Sequence, residues 1–295
     1  MNWANSPHLL QKRNPWRTWE GMKDIADMPA ALVVPPTPRD YHGVNWTGAT
    51  TLYMKEVKRF WKVGMQTLAA PVLNALLYLL IFAVALRGRA LVDGFSFAVF
   101  ITPGMIMMSI LNAAFANSSS SLMQAKMMGL TQDFLTAPLS PLEQVCAFAL
   151  GAATRGIAVG VVTAIAVRFF VPYGVTHWWA VLYFGLTASL MMGMIGMVAG
   201  LWAEKFDHLA AVTTFIVMPL SMLSGTFYTI DRLPTVARVL SHYNPFYYAI
   251  AGFRYGIIGL DDGSLGLAAA VVAGLTLVMA GICYWLFETG YRLKS

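Results

Sequence analysis

The sequence predicts an all-α membrane protein with six transmembrane helices, and three observations carry that reading. Of its 295 residues, 58% are hydrophobic and 12% charged, with a mean hydropathy of +0.61; soluble domains carry about 25% charged residues. The apolar residues gather into six runs near the length of about 20 residues that crosses a bilayer core. All fourteen acidic residues and all five histidines fall outside the cores of those runs. The formal charge of +6 is then read as basic residues held at one membrane face, and not as nucleic-acid binding. Cys146 and Cys283 stand in apolar runs without CxxC or Cys/His spacing, which marks them as reduced packing residues.

Residues 1–50 differ from the rest. They hold six of the fourteen prolines and four scattered tryptophans, and lack a basic stretch followed by an apolar run, so they read as an irregular cytoplasmic tail and not as a cleaved signal. A short surface helix over Trp16–Asp27 is the one element expected there. From Thr51 to Lys62 the pattern sharpens. At 100° per residue Tyr53, Val57, Phe60 and Trp61 share one arc, and Lys55, Lys58, Arg59 and Lys62 lie opposite. That is a basic amphipathic helix suited to the headgroup layer.

The six spans are expected at about 63–86, 97–116, 145–170, 178–202, 209–230 and 264–287. Trp178 and Trp202 bracket the fourth as an aromatic belt, and Pro219 breaks the fifth. An even number of spans returns both termini to one side. Lysine and arginine number fourteen on that side and six on the other, which places both termini in the cytoplasm.

Two connections carry specific signals. In the polar stretch 124–143, Ser140, Pro141 and Glu143 make a capping box with proline at the first helical position. Ahead of it, Thr131 is expected to cap a short helix over 132–137 that stops before Pro138. That helix would present Leu130, Phe134 and Leu135 to the cytosol, as a docking element for a soluble partner or as a plain connecting loop. The segment 233–260 is too apolar for a free loop, yet Arg238, His242, Asn244-Pro245 and Arg254 interrupt it. Two short helices meeting at Asn244-Pro245 and dipping into the outer leaflet fit it, and a seventh span is the alternative.

Absences narrow the function. Proton-coupled carriers and intramembrane hydrolases need titratable groups at depth, and no carboxylate or histidine stands in an apolar core. GxxxxGK[ST] does not occur, so energy for uphill transport would come from another subunit. Arg155 is the one charge inside a span, read either as a functional site or as an ion-paired or snorkelling residue. Asn74 and Asn112 are expected to form interhelical hydrogen bonds or to line a translocation path. Gly156-xxx-Gly160, Gly196-xxx-Gly200 and Gly252-xxx-Gly256 would let helices approach closely. The methionines at 105, 107, 108, 191, 192, 194 and 197 read as ordinary packing or as a flexible lining.

Four stretches give a resemblance: KEVKRFWKVGMQTLAAPVLNALLY, ITPGMIMMSILNAAFANSSSSL, DFLTAPLSPLEQ and LSGTFYTIDRLPTVARVLSHYNPFYYAIAGFRYG. From about Lys55 onward the chain resembles the ABC-2 type (type II exporter) permeases, in particular the small bacterial inner-membrane ones. The specific matches are Asp133–Pro138, Ser224-Gly225-Thr226-Phe227-Tyr228, Leu233-Pro234 and Asn244-Pro245 with Arg254. Many relatives carry Glu where Gln132 stands, with the acid here at Asp133. The resemblance implies an interface helix containing Lys55, Lys58, Arg59, Phe60, Trp61 and Lys62. It implies a coupling helix whose contacts to an ATPase subunit come from Lys126, Leu130, Gln132, Asp133, Phe134, Leu135 and Pro138, and re-entrant helices around Asn244, Pro245 and Arg254. It further implies a homodimer or a dimer with a similar permease, ATP and Mg²⁺ bound only in the partner ATPase, and an amphiphilic substrate. An ion-driven secondary carrier and a non-transporting scaffold remain the alternatives at this point.

Overall fold

A computed structural model of the chain describes residues 43–62, 64–85, 91–92, 94–228, 234–261 and 263–292. The expected tail and its Trp16–Asp27 helix lie outside the described residues, except for 43–50. There the expectation is corrected: the amphipathic helix α1 starts early, at Trp46, and runs to Lys62. Thr47, Gly48 and Thr50 are weak helix formers, and the start is made instead by Asn45. Its Oδ1 accepts the Gly48 N–H at 2.9 Å, so it caps the first turn.

The remaining helices are α2 Gly64–Ala85, α3 Phe97–Met127, α4 Thr131–Thr136, α5 Pro141–Arg168 and α6 Trp178–Trp202. They are followed by α7 Phe206–Val212, α8 Met218–Met222, α9 Thr235–His242, α10 Pro245–Ile258 and α11 Leu265–Thr289. A two-residue antiparallel ladder, β1 Leu91–Val92 with β2 Phe95–Ser96, turns at Gly94 ahead of α3. Five helices among the described residues are long and apolar enough to cross a membrane: α2, α3, α5, α6 and α11.

The expected fifth span is corrected. In place of a helix over 209–230 there is a 17-residue apolar helix, Phe206–Met222, about 26 Å long and shorter than a ~30 Å hydrocarbon core. It consists of α7, a π-helical turn at Thr213–Val217 and α8. Pro219 has no N–H to return to the preceding turn, and a widened turn directly ahead of it accommodates that loss. The helix stops where Ser224-Gly225 turns the chain, with Gly225 at φ 73°.

The core is built around α3, which lies against both α5 and α6. All three glycine pairs serve close approach. A Cβ at Gly156 would lie 3.0 Å from the Ile110 carbonyl of α3, and one at Gly200 2.9 Å from the Ser119 carbonyl. Gly252 sits against the Phe184 ring, and Gly256 would place a Cβ 2.8 Å from the Val181 backbone nitrogen, so α10 is pressed onto α6. Met105, Met107, Met191, Met192, Met194 and Met197 are buried in this packing.

Several chain ends gather at one end of the bundle. Lys126, at the end of α3, donates to the Leu201 and Ala203 carbonyls that α6 leaves open, at 2.5 and 2.7 Å. Arg292, just past α11, donates to the Trp202 carbonyl at 2.5 Å and to Glu204 Oε1 at 3.1 Å. These cations satisfy and neutralise the carbonyl end of α6. The starts of α1 and α5 meet at the same end, next to α4.

Candidate functional site: the anchored loop, the interface helix and the groove

The segment joining α3 to α5 is tied down at several points. The capping box forms as the sequence requires: the Ser140 N–H donates to Glu143 Oε2 at 2.7 Å, and the Glu143 N–H donates to Ser140 Oγ at 3.3 Å. Glu143 also binds α1, accepting the Asn45 N–H on Oε1 at 2.6 Å. Asn45 Nδ2 in turn donates to the Pro138 carbonyl at 2.9 Å. Gln144 Nε2 reaches back to the Phe134 carbonyl at 2.9 Å. The loop and the start of α1 are thus one hydrogen-bonded unit, a connection that spans more than ninety residues of sequence.

Two expectations about this helix are corrected. Thr131 is its first residue and not its cap; Leu130 occupies the cap position and gives no side-chain bond. Phe134 does not face the cytosol. It is 6% exposed, its ring meets Phe148 edge-on at 5.6 Å, and Lys55 Nζ lies 4.9 Å above its face. Phe134 is therefore the anchor of α4. Lys126 likewise turns away from the loop to close α6. The surface that remains outward is Met127, Met128, Gly129, Leu130, Asp133 and Pro138, with Met128 69% exposed. Sequence reasoning overlooked Met127 and Met128, although two methionines ahead of a glycine turn are an apolar, adaptable contact surface. The Gln132 and Leu135 side chains lie outside the described residues.

The interface helix packs on protein along one stripe. Leu52, Glu56 and Phe60, spaced at i, i+4 and i+8, are its buried residues, and Trp61 stays exposed. Two corrections follow. Glu56 is fully buried, held by Ser121 Oγ at 2.7 Å and by Arg59 Nη2 at 2.9 Å. Arg59 is therefore not on the solvated basic face. Its guanidinium also donates to the Asn117 carbonyl at 2.7 Å and to Ser120 Oγ at 3.2 Å. Lys55, Lys58 and Lys62 remain outside. Arg155 of α5 is within electrostatic reach of Glu56 and Arg59, but its Nε is buried without a hydrogen-bond partner among the described residues.

Asn74 and Asn112 come together across a groove of about 660 Å³ between α2, α3 and the α7–α8 helix, with Ser109, Ser119, Ser120, Thr213 and Ser221 among its lining residues. Met105, Met108, Met218, Met222 and Phe227 supply its apolar wall. Both asparagines are exposed in the single chain, so the groove is open on the side where α2 and the Phe206–Met222 helix present Leu73, Leu77, Phe215 and Met218 to the outside.

At the far end, Asn244 caps α10 by accepting the Phe246 N–H at 3.0 Å and donates to the Leu220 carbonyl at 2.6 Å. Pro245 is the first residue of α10. Arg254 is 2% exposed, stacked 4.2 Å from the Phe100 ring and donating to the Gly225 carbonyl at 2.6 Å. Thr226 is seated on Gly104, and Phe227 meets Phe82 and Tyr78 of α2 at 5.2 and 5.7 Å. The Ser224–Tyr228 motif thus folds over α3 and closes the groove at this end. Two helices, α9 and α10, meet at Asn244-Pro245.

The family model for the ABC-2 type transporter matches residues 47–258, which takes in the interface helix, the anchored loop, the groove and both far-end helices. The chain belongs to the ABC-2 type transporter family. Over 251 residues this permease is 36% identical to the inner membrane transport permease YadH of Escherichia coli strain K12, covering 85% of this chain and 98% of that protein. Nodulation protein J of Rhizobium leguminosarum bv. viciae is 25% identical over 229 residues, with 74% and 83% covered. Nodulation protein J of Rhizobium meliloti strain 1021 is 23% identical over 238 residues. The permease is accordingly a membrane component of an ABC transporter, a family that generally pairs with an ABC ATPase subunit.

Proposed function

We propose that the permease is the membrane subunit of an inner-membrane exporter that moves an amphiphilic substrate, a lipid, lipid-linked glycan or drug, out of the cytoplasm or inner leaflet. A separate ATPase subunit, binding ATP and Mg²⁺, drives it. The observation that carries this reading is the loop: Phe134, Gln144 and Glu143 fix it inward while Met128, Leu130 and Asp133 face outward at the end where the chain ends gather. A docked ATPase that moves this tip moves α3, α5 and α1 with it, which is rigid-body coupling. The excess of lysine and arginine expected on that side supports a cytoplasmic placement.

Two copies complete the path. The groove has polar groups on α2, α3 and the Phe206–Met222 helix beside an apolar wall and stands open along α2, which suits a second copy covering the open side and a cargo that is part polar and part apolar. The α9–α10 pair, re-entering from the outside, would close the far end of the path. Glu56, the carboxylate of the interface helix, is buried in an ion pair with Arg59 and ties that helix to α3.

The test is isolation of the tagged permease from its own membranes in mild detergent. The expected result is a stoichiometric ATPase subunit, lost in the Met128→Asp/Leu130→Asp double variant, with the permease itself still folded. A well-folded permease recovered alone from several detergents would overturn the reading.

A further inference from the structure

A second cavity lies on the opposite side of the core from the groove, between α5 and α6. It measures about 590 Å³ and is floored by Ile106 and Ile110 of α3 and Phe253 and Ile257 of α10. The cavity exists because α5 and α6 touch toward their loop end, where a Cβ at Gly193 would lie 2.6 Å from that of Ala152. Toward Arg168 and Trp178 they leave the floor uncovered. Its walls are apolar along their length, with Ile157, Val161, Ile165 and Leu182 exposed to it. The one charge among the lining residues is Arg168, at the rim.

Arg168 is exposed. Its guanidinium carbon lies 6.0 Å from the Tyr173 ring, and that ring is held in place because its hydroxyl donates to the Ala164 carbonyl at 2.7 Å. Phe169 and Trp178 line the rim and are 83% and 65% exposed, which is the composition of a headgroup-level belt. From Arg168 to Ile157 the cavity follows α5 for eleven residues, about 16 Å. That is the hydrocarbon depth of one leaflet, half of the ~30 Å core.

We infer that this cavity is a binding site for one anionic glycerophospholipid of the leaflet farther from the 124–138 loop. An acyl chain lies along Ile157–Ile165, and the phosphate sits against the Arg168 fork, whose planar donors match phosphate oxygens. Charge at the rim and a leaflet-deep apolar trough together select such a lipid over a soluble anion, which would leave the trough empty, and over a zwitterionic lipid, whose own cation offsets its phosphate and is repelled by the guanidinium. The site is separate from the groove lined by Asn74 and Asn112 and does not depend on how the permease is powered.

Native mass spectrometry of the full-length, delipidated permease, titrated with phosphatidylglycerol and with phosphatidylcholine, tests the inference. Phosphatidylglycerol should bind at least about tenfold more tightly than phosphatidylcholine, whose choline cation weakens the contact of its phosphate with the guanidinium. Arg168→Gln should erase that preference while keeping weak binding of both. Val161→Trp, which fills the trough from an exposed position, should remove the tight adduct whatever the headgroup. Equal affinity for the two lipids in the unaltered permease would overturn the site, as would a phosphatidylglycerol adduct indifferent to both Arg168→Gln and Val161→Trp.

Discussion

Phe134→Ala should release α4 without unfolding the bundle. Phe→Ala changes in cores cost 3–5 kcal/mol, and Phe134, 6% exposed at the rim of the Phe148 cluster, belongs near the lower figure, about 3 kcal/mol. A six-residue helix has almost no stability of its own, so that loss falls on local opening of α4. The Gln144 bond to its backbone, worth about 1 kcal/mol, survives the substitution and keeps the loop near its seat. Three kcal/mol corresponds to a roughly 150-fold rise in the opening equilibrium. Hydrogen-exchange mass spectrometry on peptides covering 127–140 should therefore show protection falling by about two decades, with peptides from α6 and α11 unchanged. Met128→Asp, at an exposed position, should leave protection intact and remove only ATPase association. Unchanged protection of 127–140 in Phe134→Ala, or a loss spread evenly over the whole chain, would refute the anchoring argument.

Other expectations follow from the same geometry. Glu56→Ala leaves Arg59 and Arg155 without a counter-charge and should destabilise the detergent-solubilised permease by roughly 3 kcal/mol, as for a broken buried pair; Glu56→Ala/Arg59→Met should recover part of it in a double-mutant cycle of thermal melts. Gly196→Val drives a side chain into the Phe115 backbone and should cost more than about 2 kcal/mol or abolish folding, whereas Gly274→Ala, with open space around it, should melt within about 1 kcal/mol of the parent. Asn244→Ala removes both the α10 cap and the bond to Leu220 and should cost about 2 kcal/mol by thermal melt, with Asn244→Asp retaining the cap and losing less.

Much of the fold was legible because it is written locally. Ser140-Pro141 and Glu143, Asn244-Pro245, the tryptophans at the two ends of α6 and the uncharged runs each announce a boundary within a few residues. What escaped was direction. A helix of six residues makes fewer than two turns, so periodicity cannot tell whether Phe134 points in or out; the answer lies in Phe148 and Lys55, distant in sequence. Glu56 stands among lysines with nothing local to mark it as buried, while its partners Asn117 and Ser121 lie more than sixty residues away. The early start of α1 was hidden by Thr47, Gly48 and Thr50, because tertiary contacts from Asn45 to Pro138 and Glu143 override their poor propensity. Pro219 marked a break in the fifth apolar run, but the π turn and the short length depend on how the chain folds back at Gly225 onto Gly104. The paired asparagines were found as residues, though their meeting across one groove is a fact of packing.

The central claim is that the 124–138 tip is the surface an ATPase subunit grips, and photo-crosslinking in native membranes tests it most directly. A photoreactive amino acid placed at Met128 should give one adduct containing an ABC ATPase subunit, with a yield that changes when ATP is supplied with a hydrolysis-blocking phosphate analogue, while the same probe at Leu182, at the other end of the bundle, should give none. Adducts from Met128 that contain only lipid or a second copy of the permease, with no ATPase under any nucleotide condition, would contradict the account.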